Sequence, residues 1–248
     1  FKKRCLKSRK INLQSIEMLK SKTKIQKMFD TISNEYDMLN NIITFGQHKK
    51  WKSKVHKLAE SQNPKLILDV ATGTADIAIL LSQIKNCKII GIDISKKMLS
   101  FGQKKIEQLY LNDKIKLETG DVESLKYSDN YFNVVTIGYG VRNFENLELG
   151  LMESNRVLKK NGTIIILETS VPQNRFIKKI YNIFSSTIIP LIGKIFSKNP
   201  SAYKYLNKSA SIFPSGKMFE KILLKVGFRQ TQSIELLFGA STIYIAKK

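Results

Sequence analysis

Cysteine is almost missing: Cys5 and Cys87 are the only two in 248 residues, and they fit neither a disulfide framework nor a zinc-ligand spacing. That excludes a disulfide-stapled scaffold and points to a reducing compartment. With only 2 histidines, no cluster of metal-ligand spacing can be drawn, and no metal is expected. No apolar run reaches the ~18 residues of a membrane-spanning helix. The opening Phe-Lys-Lys-Arg-Cys has no apolar signal-peptide core. A transit peptide also needs arginine, which is sparse, so a cytoplasmic location is expected.

Acidic residues are scarce too. There are 20 of them against 42 basic ones, a formal net charge of +22. Such a balance raises the question of nucleic acid or of a membrane surface. Yet 36 of the basic residues are Lys and only 6 are Arg. Base and phosphate recognition favours the guanidinium fork, so no nucleic-acid partner is expected. Lys, Ile and Asn together are plentiful, as in AT-rich coding, which is a plain alternative cause of the charge. The charge is also uneven: residues 1–28 carry net +9, residues 173–225 net +9, and residues 29–172 only +2. A tail and one late segment hold the excess, which an anionic membrane surface would attract if they share a face.

What remains is ordinary for a globular chain, with 42% hydrophobic and 25% charged residues. Short apolar runs alternate with helical patterns. Leu66–Val70, Lys88–Asp93, Ile115–Thr119, Phe132–Ile137 and Thr163–Glu168 read as strands. Helices are expected from Ile77 to Leu81, from a Ser95 cap to about Leu109, from Leu147 to Leu158 with a stop at Asn161-Gly162, and from Met218 to Val226. Continuous apolar strands alternating with helices imply a parallel, doubly wound α/β sheet. Phe228–Leu237 and Ala240–Ala246, divided by Phe238-Gly239, form a hairpin, so the last strand runs antiparallel. The expected fold is therefore a seven-stranded, Rossmann-like, mostly parallel sheet with an antiparallel C-terminal hairpin. Its domain is expected over 29–248, after a basic tail or helix over 1–28, with a lid segment inserted near 173–215.

Asp69-Val70-Ala71-Thr72-Gly73-Thr74 joins the first strand to the first helix, where open parallel sheets bind ligands. Gly73 allows close backbone approach. The turn lacks Gly-x-Gly-x-x-Gly, which disfavours a dinucleotide oxidoreductase. Asp93 ends the second strand, where a carboxylate can take both ribose hydroxyls or simply cap a helix. Asp121 and Val122 follow the third strand, where a carboxylate or backbone group reads an adenine edge, or makes a turn. Together Asp69, Gly73, Thr74, Asp93, Asp121 and Val122 outline a pocket for an adenosine-bearing cofactor.

Tyr36-Asp37-Met38-Leu39-Asn40 with Thr44, His48 and Trp51, then Gly140-Val141-Arg142-Asn143, then Arg156-Val157-Leu158-Lys159 through Glu168-Thr169-Ser170, form three spaced signatures. In these the chain resembles the ubiquinone/menaquinone biosynthesis C-methyltransferase family of class I methyltransferases, over about residues 25–248. Glu168–Pro172, Ser201-Ala202-Tyr203 and Ile212-Phe213-Pro214 look more like its menaquinone branch. Ala75 stands where the family usually has Gly, Thr44 where it has Ser, Lys160-Asn161-Gly162 where it has Pro-Gly-Gly, and Gly138 where some relatives have Ser.

The resemblance implies S-adenosylmethionine as cofactor and methylation of a ring carbon of demethylmenaquinol. Other lipid or benzoquinol acceptors are the alternatives. Arg142 would stabilise the developing phenolate, being too basic to act as a base; its other reading is a structural ion pair to Glu145 or Glu148. Asn143 would orient a ring oxygen. Tyr36 and His48 lie on the segment expected to cover the cofactor. His48 is a candidate proton acceptor or a packing histidine, and Trp51 reads as core. Residues 180–193 are uncharged and mostly apolar, flanked by Lys178, Lys179, Lys194 and Lys198. That stretch suits a lid around a prenyl chain, an interfacial segment at the inner face of the membrane, or a buried helix kinked by Pro190.

Overall fold

The computed structural model describes residues 21–196 and 199–248. Most of the basic tail expected over 1–28, Cys5 included, lies outside the described residues. Seven strands form one sheet: β1 (Leu66–Val70), β2 (Lys88–Asp93), β3 (Ile115–Thr119), β4 (Phe132–Gly138), β5 (Leu158–Thr169), β6 (Arg229–Leu236) and β7 (Ser241–Lys247). Their spatial order is β3-β2-β1-β4-β5-β7-β6. Strands β1 to β5 pair in parallel, and β7 runs antiparallel to both β5 and β6. The chain reverses direction across the sheet between β1 and β4, which opens a crevice at the carboxyl ends of those strands.

The central strands are apolar on both faces because helices cover both. Leu68 and Val70 of β1 face one core with Phe132, Val135, Phe219 and Tyr244. Ile67 faces the other with Trp51, Val55, Ile77 and Val134. Helix α3 (Gln47–Glu60) supplies Trp51 and Val55, so Trp51 is core. Helices α4 (Asp76–Leu81), α5 (Lys96–Gln108) and α6 (Leu147–Val157) link the strands. Ser95 caps α5 as expected, its hydroxyl accepting from the Met98 N–H.

A third, smaller core lies apart from the sheet. Ile32 of α1 (Lys22–Ile32), Leu39 of α2 (Tyr36–Ile43) and Ala202 of α9 (Pro200–Ile212) meet there, with Ile192 of α8 (Ile189–Phe196) packed against them. These helices, with α7 (Arg175–Ile183), form a cover over the strand ends. The chain closes through α10 (Lys217–Lys225) and the β6–β7 hairpin.

Two local expectations differ from the structure. Helix α6 ends at Val157, and Leu158 already has strand geometry, φ −69° and ψ 140°. The Tyr131 N–H bonds the Val157 carbonyl and draws the chain into the ladder early. Asn161, at φ 61°, therefore sits in a bulge within β5 and does not stop a helix. Pro190 has no N–H for the α-helical ladder, and the α-helix gives way just before it to a π-helical stretch over Phe184–Ile188 that leads into α8, in line with the interruption expected there. The hairpin strands stop at Leu236 and start again at Ser241, because Leu237, Phe238 and Gly239 all take positive φ.

Candidate active site

Two clefts meet at the carboxyl ends of β1 and β4. They share a wall of Tyr36, Ala71, Gly73, Gly138 and Tyr139. Three of these have positive φ: Ala71 at 52°, Gly73 at 56° and Tyr139 at 57°. Backbone in this sparsely used region costs energy in residues with a Cβ, and such positions gather at functional sites. A Cβ on Gly140 would lie 2.5 Å from the Ala71 Cβ, so the two loops touch only because residue 140 is glycine.

The first cleft runs past β2 and β3. Asp93 stands at its centre, Oδ2 accepting from the Gly73 N–H at 2.9 Å and Oδ1 from the Ser95 N–H at 2.8 Å. Burial pushes its pKa up to about 6, against the lowering effect of those two bonds. Each carboxylate oxygen keeps a further lone pair for a ligand hydroxyl. Ile94, Met98 and Val122 make an apolar slot beside it. Asp121 does not point freely: Oδ1 accepts from the Glu123 N–H and Oδ2 pairs with Lys22 at 2.6 Å. Helix α1 is tied down at this end by Lys22 and further on by Asp30, which accepts from the Ser95 hydroxyl at 2.6 Å. A glycine turn, an acid at the end of β2 and an apolar slot fit an adenosine-bearing cofactor.

The second cleft is larger, about 1060 Å³ with its mouth included. Arg142 lies in it, 6% exposed. Its Nη1 donates to Glu168 Oε1 at 2.6 Å and to the Tyr139 carbonyl at 2.7 Å. The ion-pair partner is thus Glu168, correcting the expectation of Glu145 or Glu148; Glu148 pairs with Lys225 at 2.6 Å. Burial works against the Arg142 charge, but Glu168 and the tyrosine Tyr36 offset it and hold the pKa above the usual arginine value. The Arg142 Nε–H is buried and unpaired within the protein.

Asp69 accepts hydrogen bonds from the Thr72 and Thr136 hydroxyls, both at 2.6 Å, and burial pushes its pKa up to about 6. The Thr74 hydroxyl donates to Asp37 at 2.7 Å. Asp37 also meets Lys105, which reaches Asp76, which in turn meets Lys52 at 2.7 Å. This chain of charges fastens α2 to α4 and α5. Burial opposes the Asp76 charge, but Lys52 and Lys105 hold its pKa down at about 2.

The sequence-predicted cofactor residues therefore divide. Gly73, Asp93, Asp121 and Val122 line the first cleft, while Asp69 and Thr74 line the second along with Gly73. In that second cleft Asp69 and Thr74 spend their side chains on holding the loop. Tyr36 lines both clefts, Arg142 and His48 the second, and Asn143 the first. The Asn143 amide is held by the Tyr139 carbonyl and the Tyr205 hydroxyl. Sequence reasoning gave no role to Glu168, Lys22, Lys105 or Tyr205. An acid closing the apolar strand Thr163–Leu167 was a usable signal for Glu168. Tyr205 lies on an ordinary helical pattern and gives none.

A doubly wound sheet with this strand order, an antiparallel last strand and an acid ending β2 defines the class I methyltransferase fold. The chain belongs to the ubiE/COQ5 methyltransferase family, whose model matches residues 17–248. A demethylmenaquinone methyltransferase of Bacteroides fragilis is 39% identical over 92% of this chain and 94% of its own length. A ubiquinone/menaquinone biosynthesis C-methyltransferase of Geotalea uraniireducens is 37% identical over 91% and 96%. Among solved structures, a putative S-adenosylmethionine-dependent methyltransferase of Methanococcus maripaludis superposes with a TM-score of 0.62 at 20% identity, covering 92% of this chain and 94% of that one. The [4+2]-cyclase SpnF superposes equally well, TM-score 0.61 at 14% identity over 92% and 96%, so the fold alone does not fix the reaction.

Proposed function

We propose that the protein methylates a ring carbon of demethylmenaquinol with S-adenosylmethionine, giving menaquinol. The observation that carries this reading is the pair of adjoining clefts, one suited to adenosine, the other lined by the buried Arg142 paired to Glu168. The names of the relatives supply the acceptor class. The bound cofactor supplies a methyl on a sulfonium. The chain's own residues hold the two reactants in line across the shared wall and exclude water from between them. Asp93 would hold the ribose hydroxyls, and the slot of Met98 and Val122 would take the adenine. Arg142 holds the quinol oxygen as it gains negative charge, which pushes electron density onto the neighbouring carbon. Tyr36 closes the wall, and Asn143 fixes the loop that carries Arg142.

The acceptor is carried by a prenyl tail, and the cover supports a bilayer as its source. No helix among the described residues is long and apolar enough to cross a membrane. No side chain of helix α7 is fully buried, and only Ile177 and Tyr181 are half-buried. Phe176, Ile180 and Ile183 line one face of it at helical spacing, 72%, 54% and 57% exposed. Phe45, 77% exposed, joins this patch through a ring contact with Phe184. Lys178 and Lys179 flank it, suited to anionic headgroups. Tyr181 and Ser185, on the same segment, line the second cleft. The protein is read as peripheral at the inner membrane face, with α7 and α8 between lipid and cleft.

Methyl transfer from labelled S-adenosylmethionine, with the quinone kept reduced and then kept oxidised, tests the reading. Label in menaquinol only under reducing conditions supports it. Label in a ubiquinone-pathway benzoquinol and none in demethylmenaquinol overturns it.

A further inference from the structure

We propose that His48 is the proton acceptor for the quinol hydroxyl, and that Thr44 with the Asn40 carbonyl fixes the tautomer that turns a nitrogen lone pair toward the acceptor cleft. The inference rests on the quinol reading above and deepens it by naming the base.

Thr44 Oγ1 lies 2.7 Å from the Asn40 carbonyl oxygen and 2.7 Å from His48 Nδ1. A carbonyl oxygen only accepts, so the Thr44 hydroxyl proton goes to Asn40. Thr44 then has only acceptor capacity left for His48, so Nδ1 carries the ring proton. In a neutral imidazole that leaves Nε2 as the lone-pair nitrogen. His48 is 5% exposed and lines the cleft that holds Arg142. Among the described residues Nε2 makes no hydrogen bond, and it is not one of the atoms sealed away from solvent-sized space. A packing histidine would have both ring nitrogens satisfied or enclosed in protein; this one has a set tautomer, a ring that lines the cleft and no hydrogen bond on its second nitrogen.

The backbone makes this placement. Thr44 closes α2, Phe45 and Gly46 take φ of 49° and 72°, and α3 starts at Gln47. His48 thus enters the first turn of α3, where the helix dipole disfavours a cation. The charged groups around it are Lys49 and Lys52 on α3, Asp76 on α4 and Asp37 on α2. Asp69 and Arg142 stand elsewhere in the same cleft. Burial, then Lys52, lowers the His48 pKa from 6.5, while Asp76 and Asp37 oppose this and are themselves occupied by lysines. The ring is neutral, and able to accept a proton, at pH 7.

The step balances. The quinol O–H bond breaks and the Nε2–H bond forms, leaving a phenolate that Arg142 holds. The ring carbon's electron pair forms the new C–CH₃ bond as the sulfonium's S–CH₃ bond breaks. The ring C–H proton then leaves to water, its bonding pair restoring the aromatic ring. His48 returns its proton to the ring oxygen. One proton is released to solvent per methyl transferred.

The test uses the full chain with reduced demethylmenaquinol, following kcat and kcat/KM against pH. Wild type is expected to lose activity below an acid midpoint under pH 6.5. His48→Gln should lower kcat about 100-fold or more, abolish that limb and leave S-adenosylhomocysteine affinity within about twofold, with part of the loss restored by added imidazole. Thr44→Val should lose roughly tenfold and shift the limb, and Thr44→Ser should recover most of it. The ¹⁵N signals of the labelled ring, which need no substrate, should report the Nδ1–H tautomer in wild type and lose it in Thr44→Val. An Nε2–H tautomer in wild type overturns the proposal, as does His48→Gln turning over demethylmenaquinol with an unchanged acid limb. A wild type that shows the Nδ1–H tautomer but transfers no label overturns the substrate reading instead.

Discussion

Glu168, at the end of β5, and Arg142, on the turn after β4, face each other across adjacent strand ends with both side chains buried, Nη1 to Oε1 2.6 Å. Glu168 also accepts from the backbone N–H of Arg142 and of Thr169. It therefore sets the turn as well as the charge. Removing either partner leaves the other buried and unpaired, a loss of about 3–5 kcal/mol. Arg142→Ala alone thus confounds catalysis with folding. The pair Arg142→Met and Glu168→Gln together should unfold within about 2 kcal/mol of wild type, since neither leaves a lone charge. It should still be inactive. Urea denaturation and the methyl-transfer assay on the same samples check both halves; recovery of activity in the double variant would remove Arg142 from the reaction.

Asp93 is expected to make cofactor affinity pH-dependent. Its pKa is raised from 3.8 to about 6. A raised carboxyl pKa means that the folded protein resists ionisation, so this group adds no stability at neutral pH and its penalty fades as pH falls through 6. Ribose binding has the opposite need, because the carboxylate accepts more strongly than the acid. S-adenosylhomocysteine affinity should therefore weaken below about pH 6, and Asp93→Asn should cost about 10- to 100-fold at pH 7.5 and flatten the pH dependence. Titration calorimetry across pH 5–8 reads this directly.

The sheet was legible because its strands are buried on both faces and its turns carry Gly73, Asp93 and Asp121 at strand ends. Those signals are local. The cover was legible only as charge and apolar content, because its contacts join residues far apart in the chain. Lys22 meets Asp121, Asp30 meets Ser95, and Asp37 meets Lys105. No spacing rule links such partners. Asn161-Gly162 misled for a related reason: the same dipeptide suits a helix stop and a strand bulge, and pairing with β4 decides between them.

Lys105 should act on the cover more than on the core. It joins Asp37 of α2 to Asp76 of α4, with about a third of each side chain exposed. Solvent-screened pairs of this kind contribute little, roughly 0–1 kcal/mol each. Lys105→Met should leave the unfolding midpoint nearly unchanged, since Asp76 keeps Lys52. It should raise KM for S-adenosylmethionine several-fold with kcat little altered, and wild type should approach the variant in 1 M salt. An unchanged KM at low salt would show that the Asp37–Lys105–Asp76 link does not help to hold the cover.

The α7 face predicts a lipid dependence. Replacing Phe176, Ile180 and Ile183 by Ser together should reduce sedimentation with vesicles of phosphatidylglycerol and phosphatidylethanolamine by about tenfold or more. These side chains are exposed, so thermal stability should hold. Activity on a demethylmenaquinol without its long prenyl tail should also hold, while activity on the long-tailed substrate in vesicles falls. Equal loss on both substrates would place the three residues in the cleft's own structure.

Ala75 holds a strained backbone position against α5. It sits at φ 64°, fully buried, at the start of α4. A left-handed alanine costs about 1–2 kcal/mol. Glycine there would relieve that strain, but would free the unfolded chain at a cost of about 0.4–1 kcal/mol and expose the methyl's place, another ~0.8 kcal/mol. The three effects nearly cancel, so Ala75→Gly should change stability by less than about 1 kcal/mol, which accounts for alanine being tolerated. The discriminating partner is Gly102 of α5. A Cβ there would lie 3.0 Å from the Ala75 Cβ and 3.2 Å from the Thr74 carbonyl carbon. Gly102→Ala should therefore destabilise the protein despite alanine's helical advantage of about 1 kcal/mol. Made in the Ala75→Gly background it should destabilise less, by about 0.5–1 kcal/mol, because one of the three close contacts is gone while those to Leu117 Cδ1, at 3.1 Å, and to Thr74 remain. A double-mutant cycle by urea denaturation measures the difference; strict additivity would mean that α5 shifts away from the loop without touching Ala75.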